Sequence, residues 1–91
     1  MEEFHIPVMF YTYIIYSEKR DRYYVGHCEN LDKRVEDHNN SRSPYTKTGN
    51  PWVLKWQKGF KSRTEAMKEE ERIKRKKSRK YIEWLIKNND G

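Results

Sequence analysis

The chain has 91 residues, of which 34% are hydrophobic and 37% are charged. A chain of this length makes one domain with a modest core, because its folding buries only about 60–65% of the surface of the unfolded chain. Its 3 Trp, 7 Tyr and 3 Phe supply large buriable side chains, which excludes a disordered chain. We expect a single folded domain with a core over about residues 8–88.

Cysteine content and the N-terminal sequence restrict the compartment. Cys28 is the only cysteine, so an internal disulfide and a cysteine-based zinc site are excluded, and Cys28 is expected to be a packing residue. The apolar run Ile6–Tyr16 is too short to span a bilayer, and the chain opens on acidic residues where a secretory leader would be basic. These features predict a cytoplasmic protein without a membrane segment.

The positive charge lies in the second half of the chain. The formal net charge is +6; residues 1–50 hold 7 Lys and Arg against 8 Asp and Glu, whereas residues 51–91 hold 13 against 6. The densest basic run comprises Arg72, Lys74, Arg75, Lys76, Lys77, Arg79 and Lys80. Such a run is typical of a surface that contacts a phosphate backbone, although basic runs on helices are also common on solvated faces.

The first half of the chain predicts a hairpin followed by a helix. The predicted elements are a strand at Val8–Tyr16, a polar turn at Ser17–Arg22, a strand at Tyr23–Cys28 and a helix from about Leu31 to His38. Glu29 or Asn30 leads into this helix. The first strand is apolar on both alternating faces, so it is expected at the centre of the sheet.

The second half predicts a loop, one strand and two helices. The residues from Asn39 to Pro51 form a polar loop, and a third strand spans Trp52–Trp56; its entry through Pro51 indicates an edge position or a strand start. A helix capped by Ser62 or Thr64 runs to about Lys76, and Ser78 caps a last helix. The predicted fold class is α+β, with a small three-stranded antiparallel sheet flanked by helices.

Two tyrosines and a glycine form the first part of a candidate site. In the predicted hairpin, Tyr13 lies opposite Gly26, and Tyr13 and Tyr24 lie diagonally on one face of the sheet. The glycine leaves this face open for the close approach of another group or a ligand. The alternative is a structural role, because tyrosines are good strand formers that pack well in pairs.

Arg34 and His38 follow on the first helix, four residues apart. Leu31 and Val35 define the buried stripe of this helix, so Arg34 and His38 are expected on the margin of that stripe with nearly the same bearing. Two cationic side chains there are unfavourable unless an anion such as phosphate lies between them. The alternative is a surface arginine beside a neutral histidine.

Glu70 supplies a carboxylate on the inward side of the next helix. Ala66 and Ile73 lie on the inward stripe, and Glu70 falls four residues after one and three before the other. A buried carboxylate is rare unless it is paired or binds a metal, because its desolvation is costly. The glutamates on either side are expected to be solvated. The alternative for Glu70 is an ion pair with Arg34 or a lysine.

Together these residues resemble the GIY-YIG nuclease superfamily, and in particular its small single-domain members. The first motif is represented by Tyr11-Thr12-Tyr13, which keeps the final tyrosine, and the second by Tyr24-Val25-Gly26. The resemblance continues through Leu31 to Asn39, Pro44 to Lys47, Pro51 to Leu54, and Glu65-Ala66 to Ile73-Lys74. Each motif alone is weak, but five motifs in the expected order are fairly specific, and they cover about residues 8–88.

The resemblance implies a divalent-metal-dependent endonuclease that hydrolyses phosphodiester bonds in nucleic acid, with DNA as the expected partner. Glu70 would hold one Mg²⁺ or Mn²⁺, which otherwise keeps its waters. Arg34 would grip the phosphate, Tyr24 would act as general base, Tyr13 would orient Tyr24 or the water, and His38 would shuttle a proton. The residues expected to contact nucleic acid are Arg42, Lys47, Lys74, Lys76, Lys77 and Lys80.

Two alternatives stay open. One is a nucleic-acid-binding module that keeps the fold but has lost turnover, and the other is a small protein-interaction domain whose basic face meets an acidic partner. Glu70 discriminates among them, because a carboxylate aimed at a phosphate-binding cleft repels the ligand unless a metal intervenes. Its position therefore favours the enzyme.

Overall fold

The computed structural model describes residues 9–40 and 46–88. Its elements in chain order are β1 (Phe10–Ser17), β2 (Arg22–Cys28), α1 (Leu31–Asn39), β3 (Trp52–Phe60), α2 (Arg63–Arg75) and α3 (Arg79–Lys87). This arrangement confirms the predicted class, an α+β fold with a three-stranded antiparallel sheet and flanking helices. In the described ranges, no helix is long and apolar enough to cross a membrane.

β1 is the central strand, as its apolar sequence predicted. The strand order is β2-β1-β3, and β1 pairs antiparallel with both neighbours. The β1–β2 register places Tyr13 opposite Gly26 and Tyr16 opposite Tyr23, which confirms the predicted hairpin. β2 and β3 are therefore the edge strands of the sheet.

The sheet separates two small cores. The core on the α1 side contains Tyr13, Ile15, Cys28 and Trp52, against which Leu31 and Val35 of α1 pack. The core on the other side contains Ile14, Val25, Trp56 and Ile73, and is covered by α2 and α3. Side chains alternate between these cores along β1 and β2 because successive residues point to opposite faces. In β3 a register shift opposite Ile14 and Ile15 puts Trp52 and Trp56, four residues apart, on opposite faces. Cys28 is buried, which confirms its packing role.

All three helices begin at polar caps that the sequence indicated. The side chains of Asn30, Ser62 and Ser78 accept hydrogen bonds from the backbone amides of Lys33, Glu65 and Tyr81, respectively. Each bond satisfies one of the amides that have no partner within the helix. Of the alternatives left open, Asn30 and Ser62 are the observed caps.

Several predicted boundaries were wrong. β1 begins at Phe10 and ends at Ser17, and β2 begins at Arg22, because Ser17 and Arg22, predicted to lie in the turn, pair with each other. β3 continues to Phe60, four residues beyond the predicted end at Trp56, because β1 supplies a partner for every added residue up to Phe10. Asn39 ends α1 instead of starting the loop, and its side chain bonds the backbone N and O of Trp52. Residue 8 and residues 41–45 of the predicted strand and loop lie outside the described residues.

Candidate active site

A buried hydrogen-bonded chain links β1, α1 and the segment before β3. The Tyr13 hydroxyl lies 2.8 Å from His38 Nε2, and His38 Nδ1 lies 2.7 Å from Thr46 Oγ1. The three residues are 2%, 1% and 0% exposed, respectively. Trp52 Nε1 donates to the Thr46 carbonyl at 2.7 Å, which fixes Thr46 beside α1. These hydrogen bonds therefore engage both ring nitrogens of His38.

Tyr24 of the neighbouring strand packs against this hydrogen-bonded group of side chains. Its ring centroid lies 5.0 Å from that of His38, 6.4 Å from that of Tyr13 and 6.5 Å from that of Trp52. The structure thus brings Tyr13, Tyr24 and His38 together on the α1 side of the sheet. Thr46 was missed as a site residue, because it follows His38 by eight residues in a stretch of sequence with no periodic pattern.

Gly26 makes room for Tyr13 in this cluster. A β-carbon built on Gly26 would lie 2.6 Å from the Tyr13 hydroxyl and 2.7 Å from Cζ of the same ring. No real contact of this kind is so short, so any larger residue would displace the ring. The space that the sequence predicted beside Tyr13 is thus taken by the ring of Tyr13 itself.

Burial keeps the cluster uncharged. Desolvation is the largest cause that raises the pKa of Tyr13 above its ordinary value, and the neighbouring Tyr24 is the second. This phenol therefore retains its proton. Desolvation also lowers the pKa of His38, and the Arg34 charge lowers it further. Tyr13 therefore acts here as a hydrogen-bonding group, and His38 is a neutral imidazole that resists protonation.

Arg34 and His38 do not share the position that their spacing predicted. His38 is fully buried, whereas Arg34 is exposed at the surface of α1. The expectation that both lie on the margin of the helix was therefore wrong for His38, whose bonds to Tyr13 and Thr46 draw it into the core. The Arg34 charge still acts on Tyr13, His38 and Cys28, so its guanidinium belongs to the same site.

Glu70 approaches from the helix layer on the other side of β2. Its Oε1 lies 2.7 Å from His27 Nδ1, and its Oε2 accepts from Lys74 Nζ at 2.5 Å. The side chain is 17% exposed, which agrees with the predicted inward phase. Pairing with a lysine was an alternative for Glu70, and this bond is observed.

His27 was missed because a lone strand histidine carries no sequence signal of its own. By the alternation of β2, His27 lies on the face opposite Tyr24 and Gly26. Glu70 therefore does not pack on the face that holds Tyr13, Tyr24 and His38. Its charge nevertheless contributes to the raised pKa of Tyr13. Tyr13 pairs with Gly26, and Glu70 bonds the adjacent His27, so the two groups lie on opposite faces of the same part of β2.

Glu69 is more buried than predicted. Its side chain is 11% exposed and accepts from Arg72 at 2.8 Å. The arginine lowers the pKa of Glu69. The prediction that Glu69 is solvated was wrong, because Glu69 follows Ala66 by three residues and shares the inward side of α2. Glu71 is 60% exposed, as predicted.

Glu70 is the protein group at the β2 edge that fits a divalent cation. Among the described residues, no three His, Cys, Asp or Glu side chains cluster in a metal-binding arrangement. A single, partly exposed carboxylate suits Mg²⁺ or Mn²⁺ that retains most of its water. Both carboxylate oxygens accept hydrogen bonds in this structure, so metal binding requires the bond from Lys74 to break. Lys74 is 52% exposed and can turn into solvent.

Most of the predicted nucleic-acid-binding residues are at the surface. Lys47, Lys74, Lys76, Lys77 and Lys80 are exposed. The ammonium group of Lys76 lies 5.3 Å from the ring centroid of Tyr81. Arg42 lies outside the described residues. The exposed lysines at the end of α2 and the start of α3 leave this part of the surface positively charged.

Comparison with known proteins assigns the family. The family model described as the GIY-YIG catalytic domain matches residues 9–82. The chain belongs to the GIY-YIG family. It is 37% identical over 82 residues to a UPF0213 protein of Streptococcus pneumoniae, covering 88% of this chain and 81% of the relative, and 40% identical over 65 residues to one of Staphylococcus haemolyticus, covering 70% and 78%.

A solved structure agrees with this placement among the UPF0213 proteins of the GIY-YIG family. The solution structure of a UPF0213 protein from Bacillus halodurans matches with a TM-score of 0.57 and 28% identity, covering 91% of this chain and 87% of that chain. A GIY-YIG domain indicates nuclease activity and a nucleic-acid substrate in general, and GIY-YIG nucleases generally use divalent metal ions.

Proposed function

We propose that this chain is a divalent-metal-dependent endonuclease that hydrolyses phosphodiester bonds in nucleic acid, with DNA as the expected substrate. The observation that carries the proposal is the position of two groups on opposite faces of the same part of β2, where Tyr13 pairs with Gly26 and Glu70 bonds His27. One is the cluster of Tyr13, Tyr24 and His38, on which the Arg34 charge acts. The other is the Glu70 carboxylate, whose charge also acts on Tyr13.

Tyr24 is the proposed general base. Hydrolysis requires a water oxygen to bond to phosphorus while the bond from phosphorus to one sugar oxygen breaks, and the water must lose a proton. Tyr24 takes that proton, and the leaving sugar oxygen gains one from solvent. A phenol is a weak base at neutral pH, so Tyr24 depends on nearby positive charge to be deprotonated.

Tyr13 and His38 position Tyr24 and the water. Tyr13 keeps its proton because burial raises its pKa, so it serves as a donor to His38 and not as a base. His38 is neutral, because its pKa is lowered, and its ring packs against Tyr24. A proton that it takes up from the site must pass on at once, because its lowered pKa disfavours the imidazolium form. Their burial fixes the geometry before substrate binds.

Arg34 and the metal that Glu70 would hold stabilise the negative charge of the phosphate. Arg34 is exposed at the surface of α1 and can bond two phosphate oxygens with its planar guanidinium. Glu70 would hold the Mg²⁺ or Mn²⁺, which supplies stabilisation of the negative charge that builds up on the phosphate and on the leaving oxygen. Lys74 bonds Glu70 now and becomes available for a phosphate when the metal takes its place.

One observation favours a second function, a nucleic-acid-binding module without turnover. His27 and Lys74 already bond both oxygens of Glu70, so the carboxylate has a complete structural role without a metal. In such a module the same basic surface would bind nucleic acid, and no cleavage would follow. The two functions differ only in whether Glu70 supports metal-dependent turnover.

A substrate screen tests the proposal. Labelled duplex, branched and single-stranded DNA and the corresponding RNAs are incubated with Mg²⁺ or Mn²⁺ and with wild type, Glu70→Ala or Glu71→Ala. Glu71→Ala is the matched control, because it removes the same charge from a solvent-facing position of the same helix. We expect cleavage by wild type and by the control but not by Glu70→Ala. A wild type that binds nucleic acid but cleaves no substrate would support the binding module.

A further inference from the structure

A groove borders the candidate active site, between the β1–β2 turn and the junction of α2 and α3. It has a volume of about 840 Å³. Residues 20–25 line one wall, and residues from Ile73 to Ile82 line the other. Arg79 joins the walls, because it donates to the carboxylate and the backbone carbonyl of Asp21. We call this feature the turn–helix groove.

The lining of the turn–helix groove is strongly positive. The cationic lining residues are Arg20, Arg22, Lys74, Lys77 and Arg79, and Asp21 is the one carboxylate among the lining residues. Asp21 pairs with Arg79, and Lys74 pairs with Glu70, so Arg20, Arg22 and Lys77 supply the excess positive charge of the lining. The groove therefore favours a polyanion.

The floor of the groove is apolar and aromatic. Tyr23, Val25, Ile73 and Ile82 contribute to it, and Arg79 lies 5.2 Å from the ring centroid of Tyr23. A basic rim over an apolar floor with one aromatic ring suits a nucleic-acid strand, because phosphates bind the cations while sugars and bases contact the floor. A simple inorganic anion would use the rim alone.

The groove reaches the candidate active site at the β2 edge. Lys74 lines the groove and bonds Glu70. Tyr24 lines it as well, although its ring packs against His38 on the α1 side of the sheet. A strand whose scissile phosphate lies beside Glu70 would therefore extend directly into the groove. The turn that carries Arg20 is itself held in place, because Ser17 Oγ accepts from the Arg20 amide and donates to the Gly49 carbonyl.

We propose that the turn–helix groove binds the phosphodiester backbone of the substrate strand next to the scissile bond. Arg20, Arg22 and Lys77 line the groove, and Arg22 and Lys77 contact successive phosphates, which Arg20 reaches on leaving its bond to Thr48. The inference rests on the proposed nuclease function for the position of the scissile bond. It adds the β1–β2 turn to the nucleic-acid interface, which the charge pattern of the sequence placed on the C-terminal helices.

The test measures binding in the Glu70→Gln background, so that cleavage does not enter. Fluorescence anisotropy follows a labelled DNA oligonucleotide and its RNA counterpart between about 50 and 200 mM salt. The groove variant combines Arg22→Gln with Lys77→Asn; asparagine suits the backbone of Lys77, whose φ is 46°. The control variant combines Lys55→Gln with Lys61→Gln, which removes the same charge from exposed positions on β3 and just after it.

We expect the groove variant to lose roughly tenfold in affinity, and its salt slope to become shallower by about 1.5, as two lost phosphate contacts require. The control variant should stay within about twofold of the parent. Arg22→Lys in place of Arg22→Gln should restore most of the affinity. The nucleic acid that binds the parent more tightly and shows this loss identifies the substrate as DNA or RNA.

Equal affinities of the groove and control variants in both arms would overturn the inference, and would leave the groove to another occupant, such as an acidic protein segment. Circular dichroism melts confirm that each variant is folded. Cleavage by wild type is measured separately. A chain that binds through the groove but never cleaves would contradict the nuclease proposal alone, whereas a chain that cleaves but binds equally well without the groove cations would contradict this inference alone.

Discussion

Tyr13 lies directly over Gly26, its partner on the neighbouring strand. The hydroxyl of Tyr13 would be 2.6 Å from a β-carbon at position 26, and the same hydroxyl bonds His38 Nε2 at 2.8 Å. The glycine is thus a steric requirement for the position of the ring and for its bond to the histidine. The cross-strand pair connects the sheet register to the geometry of the candidate active site.

Gly26→Ala should therefore disturb the site and not only the strand. The added methyl group must displace the Tyr13 ring, and such overpacking costs about 1–3 kcal/mol. Gly59→Ala is the matched control, because its β-carbon would meet the flexible end of Met9, and it should cost less. Urea unfolding measures the loss of stability in both variants. Equal losses would show that the Tyr13 ring is displaced as easily as the end of the Met9 side chain.

Thr46→Val should change the protonation pattern of His38. Tyr13 retains its proton and donates it to Nε2, so Nδ1 carries the imidazole proton and donates to Thr46 Oγ1. Valine removes this acceptor, so the Nδ1–H tautomer would leave a buried N–H unsatisfied, at a cost of about 1–3 kcal/mol, and it loses its advantage over the Nε2–H tautomer. Nitrogen NMR of the imidazole should show the Nδ1–H tautomer in wild type and its loss in the variant.

Thr46→Ser is the control for this experiment. It keeps the hydroxyl, so the wild-type tautomer should persist. If the valine variant keeps both the tautomer and the stability of wild type, the bond between His38 and Thr46 does not orient the imidazole.

The free energy of unfolding should fall as the pH drops below about 6.5. Desolvation and the Arg34 charge lower the pKa of native His38. The unfolded chain therefore takes up a proton near pH 6.5 that the native state resists, and stability is lost until the native pKa is reached. Above pH 6.5 both states carry a neutral His38, and this contribution is constant.

His38→Gln should remove this part of the pH dependence, whereas His27→Gln should leave it. Urea unfolding between pH 5.5 and 7.5 gives the comparison. A His38→Gln variant whose stability falls with pH as steeply as that of wild type would show that another group is responsible.

The sequence predicted the sheet and its register because their signals are local. The apolar faces of β1, the polar turn after Ser17 and the alternation through Gly26 fix which residues pair. Helix caps at Asn30, Ser62 and Ser78 are similarly encoded within a few residues. The last residues of β3 were missed, because an edge strand with exposed Lys58 and Gly59 has no apolar alternation.

The site was predicted less completely because its contacts are long-range. His38 is drawn inward by Tyr13 and Thr46, and neither bond follows from the phase of α1. His27 gains its meaning only from Glu70, which lies 43 residues later in the chain. The burial of Glu69 could have been predicted from the sequence, since Glu69 follows Ala66 by three residues and therefore lies on the inward side of α2.

The most direct test of the nuclease proposal is a single-turnover cleavage assay over a series of Mg²⁺ or Mn²⁺ concentrations, with binding and thermal melts measured on the same samples. Glu70→Ala removes the proposed metal ligand and a negative charge beside the phosphate site. Alanine is the best helix former, and both partners of Glu70 are partly exposed, so the variant should fold. Glu71→Ala is the control.

We predict metal-dependent cleavage by wild type and by Glu71→Ala, and a loss of at least about a hundredfold for Glu70→Ala (roughly 2.7 kcal/mol of transition-state stabilisation), with nucleic-acid binding unchanged or tighter. Cleavage by Glu70→Ala at the wild-type rate and with the wild-type metal dependence would contradict the proposal. So would a wild type inactive on every substrate, together with a Glu70→Ala variant that melts much earlier, since Glu70 would then be a structural ion-pair residue.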